Sequence, residues 1–165
     1  MRTMKLALLG MTSLGLLGMA TQANAEDFSS ASSSASIQGA IAIAETTGLD
    51  FSTIIADTAG DVVTLTTGGG ISATGSSAFS GSPTNALFAI TGDPSTSVTI
   101  SFSSSDTLTG PGTAMALGNF QHDAGGSPAF TAGGTLALNV GADLTVNAAQ
   151  TAGAYTGTYT LTVDY

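Results

Sequence analysis

Apolar and polar residues alternate in short runs along most of this chain. The closing stretch, led by Gly153, holds the pattern longest. Tyr155, Gly157, Tyr159, Leu161, Val163 and Tyr165 share one face, and Thr156, Thr158, Thr160, Thr162 and Asp164 share the other. Strict period two marks a strand with one side turned to a core. Ile37 to Ala44 (IQGAIAIA) alternates as well, with Ile37, Gly39, Ile41 and Ile43 on one face. Between these ends, Asp61 to Thr67, Ile71 to Phe79, Ala86 to Thr91, Ser97 to Phe102, Ala114 to Phe120, Thr135 to Val140 and Leu144 to Asn147 read as strands, and Leu49, Phe51 and Ile54-Ile55 add apolar positions after Gly48. Gly68-Gly69-Gly70, Gly92-Asp93-Pro94, Thr109 to Gly112, His122 to Pro128 and Gly141-Ala142-Asp143 read as turns or loops. No segment combines helical periodicity with capping residues. About eight or nine short strands predict an all-β protein, an antiparallel immunoglobulin-like β-sandwich.

The charge distribution divides the chain. Its only cations of the Lys/Arg type, Arg2 and Lys5, precede an apolar run from Leu6 to Ala20 and an Ala23-Asn24-Ala25 motif. That is the layout of a secretory signal peptide over residues 1–25, too short for an ordinary membrane span. Glu26 to Ser36 is a Ser/Ala-rich lead with too little apolar surface to fold alone, read as a flexible extension. Residues 37–165 form the expected single domain. Cleavage leaves eleven carboxylates and no Lys or Arg. Such a chain cannot neutralise nucleic-acid phosphates or anionic lipid, and cannot build Lys or Arg salt bridges. With no Cys, it must fold without a disulfide. The expected home is the periplasm, the cell surface or the medium.

Candidate chemistry is sparse. His122 beside Asp123 reads as a solvated loop histidine, because no G-x-S-x-G elbow or other nucleophile signature accompanies it. The triple glycine precedes no Lys and no helix, so it is a turn rather than a phosphate loop. Asp57, Asp61, Asp93, Asp106 and Asp123 read as turn formers, without the spacing of a calcium loop. Met115 reads as core. No cofactor, metal or catalytic role is expected.

Several segments carry a resemblance. GPGTAMAL with Met115, Gly133 to Val140, Gly141 with Leu144 to Val146, Ala152 to Gly157 and the closing Val163-Asp164-Tyr165 resemble the bacterial family catalogued as domain of unknown function 4402. Gly48 to Phe51 (GLDF) resembles its N-terminal signature. The family usually has Gly after that Phe, and this chain has Ser52. More loosely, the alternating ends resemble spore coat U-type and other chaperone–usher pilins. That resemblance implies an incomplete sandwich, an assembly strand over Gly153 to Tyr165, and a donor strand carrying Ile37, Gly39, Ile41 and Ile43. It also implies a periplasmic chaperone, an outer-membrane usher and self-association into filaments. Ile37 to Ala44 is open to two readings, an intramolecular first strand or a donated one. The expected function is a structural or adhesive surface subunit associating by strand addition. The alternative is a monomeric secreted module binding a cation or glycan.

Overall fold

The structure, a computed structural model, describes residues 31–165, and the expected signal peptide lies outside the described residues. Among those described there is no helix, hence none long and apolar enough to cross a membrane. Eleven strands form instead: β1 (Ala42–Thr47), β2 (Thr53–Ile55), β3 (Asp61–Leu65), β4 (Ile71–Ala73), β5 (Ala78–Ser80), β6 (Ala86–Thr91), β7 (Thr99–Phe102), β8 (Asp106–Leu108), β9 (Met115–His122), β10 (Thr135–Val146) and β11 (Leu161–Asp164). Every pairing is antiparallel. The protein is all-β.

Seven strands make one sheet in the order β1-β6-β10-β3-β4, with β9 also on β10 and β8 on β9. Two small sheets, β7–β11 and β2–β5, lie against it. The packing follows from side-chain parity. Val63 and Leu65 in β3, Ala86, Phe88 and Ile90 in β6, and Met115 and Leu117 in β9 are all buried at alternate positions. One apolar cluster joins Val63, Leu65, Met115, Leu117, Ala142, Leu144 and Val146 to Phe51, with Ile54 of β2 and Phe79 of β5 at its margin. A second joins Ala86, Phe88, Ile90, Leu138 and Val140 to Val98, Phe130 and Val163, with Ile100 and Phe102 of β7 at its margin. Tyr159, Phe120 and Leu49 touch both clusters.

β10 ties the clusters together. Its even-numbered residues from Leu138 to Val146 are all buried. Thr135 to Val140 pair with β6, and Ala142 to Val146 pair with β3, while β9 runs along Val140 to Thr145. The expected turn at Gly141-Ala142-Asp143 is therefore wrong: the two expected strands are one strand of 12 residues. Glycine marks a close approach here rather than a bend. A Cβ on Gly141 would overlap the Leu65 carbonyl and lie 2.7 Å from the Thr66 carbonyl carbon. The β9 pairing bulges at the same place, and Asn119 opposite takes φ +47.

Other expected elements also change. Ile71 to Phe79 is two strands, because the chain turns between β4 and β5 around the Asp61 carboxylate. Asp61 accepts from the Thr74 hydroxyl at 2.7 Å, the Gly75 amide at 2.6 Å and the Ser77 amide at 3.2 Å. These donors, the Thr74 hydroxyl foremost, outweigh desolvation and hold the carboxyl well below the usual carboxylate range. A lowered folded-state pKa contributes stability that is full above the unfolded value of about 4 and fades as pH falls through the folded value. Asp61→Asn is thus expected to lower the melting temperature at pH 7. The gap to wild type should shrink as melts are repeated in acid below about pH 4. A gap independent of pH contradicts this role. β8, only three residues long, was not foreseen. His122 ends β9 rather than lying in a solvated loop. It is half-buried, with its ring centroid 6.2 Å from that of Phe102.

Candidate functional site

The small sheets cover the large one incompletely. An open cleft of about 920 Å3 separates Leu49–Ala56 from Gln150–Gly157 and reaches down to Met115, Leu144 and Val146. A hollow of about 500 Å3 lies between Ile43, Glu45 and Phe88 on one side and Gly157–Leu161 on the other. Leu49 and Gly157 line both, so the two continue into each other. The result is a trough following the C-terminal segment from Gly153 to Leu161.

That segment departs from the expected long strand. Ladder pairing is confined to β11 against β7, plus a single bridge from Thr156 to Thr109. The alternation of faces persists without it: Tyr155, Tyr159 and Leu161 are half-buried, Val163 is buried, and Tyr165 lies at the exposed end. Close approaches explain its glycines. A Cβ on Gly157 would overlap the Thr107 carbonyl, and one on Gly153 would lie 2.5 Å from the Pro111 ring. The Tyr155 hydroxyl accepts from the Gly112 amide at 2.9 Å and donates to the Thr151 carbonyl at 2.7 Å.

One edge of this wall is used. Thr156 exchanges both backbone bonds with Thr109, while Thr160 receives the Ser103 amide at its carbonyl and donates its own amide to the Ser103 hydroxyl. Successive residues of an extended chain direct their hydrogen-bonding groups to opposite edges. Gly157 and Tyr159 therefore face the trough, where no backbone of the described residues pairs with them. Tyr159 also stacks on Phe120 at 4.7 Å between ring centroids, and its buried hydroxyl has no partner among the described residues. Burial, and secondarily the nearby Glu45 carboxylate, push this phenol up to about 12.

The opposite wall is β1. It starts later than expected, at Ala42, and pairs within the chain to β6 in the register Ala42–Thr91, Ile43–Ile90 and Glu45–Phe88. Ile37, Gly39 and Ile41 precede it because the β6 ladder ends at Thr91, where Gly92 and Asp93 begin a turn. Opposed residues of an antiparallel pair share a face. Ile43 and Glu45 thus sit on the same face as buried Ile90 and Phe88, yet Ile43 is 42% exposed. A residue on the core side of the sheet lacks a covering layer. Ile37 is 94% exposed, and Ile41 packs in part against the second cluster.

The remaining wall runs past Ser52, the residue standing where a glycine was expected. Ser52 adopts φ +59, the left-handed region that favours glycine. Its strain is met by local bonds: its amide donates to Asp50 Oδ1 at 2.7 Å, and its hydroxyl donates to the Ser80 carbonyl at 3.0 Å. The GLDF signature therefore locates this wall, although sequence reasoning did not connect it with a cleft.

Chemically, the trough offers an unpaired backbone edge over an apolar floor, with no Lys or Arg among the described residues. That combination suits an extended apolar segment. Elsewhere, the Asp123 carboxylate is engaged by the amide and side chain of Asn139 at 2.9 and 2.6 Å rather than by His122. Among the described residues no cluster of three or more His, Cys, Asp or Glu could hold a metal ion.

Comparison with known proteins gives one family match, to the Domain of unknown function (DUF4402), over residues 41–165. No curated protein and no solved structure matches the chain. The matched span contains all eleven strands and all three walls of the trough, and it begins after Ile37 and Gly39. The chain belongs to the DUF4402 family.

Proposed function

We propose that this protein is an exported structural subunit of the bacterial cell surface, joined to copies of itself by strand addition. The trough along Gly153–Leu161 is the observation that carries this reading. It has an unpaired edge, a floor of core side chains, and an isoleucine on the core side left uncovered. The proposed occupant is the segment around Ile37 and Ile41 of a second copy. Ile37 is an apolar side chain that nothing among the described residues covers, and residues 31–40 are all exposed and carry no strand. Alternate side chains would enter the trough while backbone groups complete the ladder.

Geometry supports addition between copies. The N-terminal segment leaves β1 at the end near Thr91, whereas the deep part of the trough opens beyond Thr47, at Leu49–Ala56. At about 3.3 Å per residue the two lie at opposite ends of β1. The chain's own Ile37 could reach the deep part only by stripping β1 from β6. A head-to-tail contact of this kind builds a filament wherever its rotation does not close a ring. Before assembly, a periplasmic chaperone is proposed to hold the same open edge.

Two chains test this, one starting at Glu26 and one at Gly39. The longer chain is expected to form concentration-dependent oligomers in size-exclusion chromatography and filaments in negative stain. The shorter should remain a folded monomer, since β1 is intact. Equal assembly by both chains would remove the proposed donor.

A further inference from the structure

Both ends of the domain converge on one turn. The Gly39 amide donates to both oxygens of the Asp93 carboxylate, at 3.0 and 2.9 Å. The Asp93 amide in turn donates to the Tyr165 hydroxyl at 2.8 Å. The turn itself is well braced. The Gly92 amide donates to the Gly134 carbonyl at 3.0 Å, and Tyr165 meets Phe130 edge-on with ring centroids 6.1 Å apart. The fit at position 39 is close: a Cβ on Gly39 would lie 2.5 Å from Asp93 Oδ1. A methyl at this position would force the Asp93 carboxylate to move off the amide it grips.

This contact is also isolated. Gly39 has no sheet pairing, and the residues from 31 to 40 are exposed. Apart from the partial packing of Ile41, the Asp93 carboxylate is what fastens the chain ahead of β1. A charged oxygen pair gripping one amide makes a stronger bond than a neutral one, but not one that outlasts a competing ladder of backbone bonds.

We propose that Asp93 is an autoinhibitory latch: it ties the Gly39 backbone to the segment's own subunit, and so keeps the exposed Ile37 and the partly packed Ile41 from reaching the trough of a second copy. This rests on the strand-addition reading and specifies its regulation. Release of Gly39 frees the donor, and capture by a neighbouring trough replaces the bidentate bond with several ladder bonds. The latch raises the concentration at which free subunits associate.

The test uses the chain from Glu26 and two variants that break the contact from opposite sides, Asp93→Ala and Gly39→Ala. Amide hydrogen exchange at residue 39 reads the latch, and sedimentation over a concentration series reads association. Near-UV circular dichroism checks that each variant keeps its fold. In wild type the Gly39 amide is expected to be protected. In both variants the residue-39 amide should exchange as in an unstructured peptide. The concentration for half-association should then fall about tenfold, the worth of one charge-assisted hydrogen bond. An unprotected Gly39 amide in wild type overturns the latch. So does a freed amide with an unchanged association threshold in a protein that does associate. If the variants free residue 39 and no chain associates at any concentration, the strand-addition reading itself falls, and the latch with it.

Discussion

Gly141→Val is expected to cost about 3 kcal/mol of stability, a large share of what holds a domain of this size folded. The reason is backbone, not side chain. The space a Cβ would need at Gly141 is filled by the Leu65 carbonyl and by the Thr66 and Thr67 backbone, the latter nitrogen 2.9 Å away. A flexible side chain could move aside, but these atoms leave β3 for the hairpin that returns as β4. Thr66 and Gly70 close that hairpin with a 2.8 Å bond from amide to carbonyl. Relief therefore requires β10 to part from β3, exposing Val63, Leu65 and Leu144 together. Gly118→Ala provides the contrast. It lies on the neighbouring strand, and a Cβ there meets nothing within 4 Å. That variant should melt close to wild type. Urea unfolding of both variants measures the difference, and near-equal midpoints would contradict the account.

Leu138→Ala is the second large effect, again about 3 kcal/mol. Leu138 is fully buried in the second cluster, between the β6 side chains and the facing layer that supplies Val163 and Phe130. Truncation removes most of the side chain's transfer free energy and leaves a cavity whose lining includes the rigid Phe88 and Phe130 rings. The loss should not stay local. β10 carries Leu138 and Val140 into one cluster and Ala142, Leu144 and Val146 into the other, so neither cluster can melt while the other keeps its central strand. Tyrosine fluorescence and far-UV circular dichroism should report one shared, lowered midpoint. Two separate transitions, or a loss below about 1 kcal/mol, would show that the clusters are independent or that the site relaxes.

Much of the strand pattern could be read directly from residue order. The parity of Val63 and Leu65, of Phe88 and Ile90, and of Leu161 and Val163 is visible in the chain and holds in the fold. A side chain's face is a local property of an extended backbone, so period two survives whatever the strand pairs with. The failures share another cause. Gly141 looks like a turn residue because glycine permits one, yet the nearby Leu65–Thr67 backbone makes it a crossing point. Asp61 looks like a turn former, and its role as an anchor depends on Thr74, Gly75 and Ser77 arriving around it. β8 is too short to carry a period of its own.

The candidate site divides in the same way. Its C-terminal wall was expected as an assembly strand from Gly153 to Tyr165; residues from Gly153 to Leu161 line the trough, whereas Val163 is buried in the second cluster and Tyr165 packs at the Asp93 turn. The Ile37–Ile43 face was anticipated as one strand, but only Ile43 of that set lies in β1. The later wall, Leu49–Ala56, went unrecognised; Ser52 after GLDF was the available signal.

Residue order alone determined the all-β class, the inward face of each long strand and the near-absence of cations, because alternation and charge are written into the chain one position at a time. Tertiary structure decided that β10 is continuous, that β1 pairs within the chain from Ala42, and that a trough remains open beside Gly157 and Tyr159. These depend on which backbones meet and which do not, and an uncovered edge is the absence of a neighbour, which no single stretch of sequence encodes.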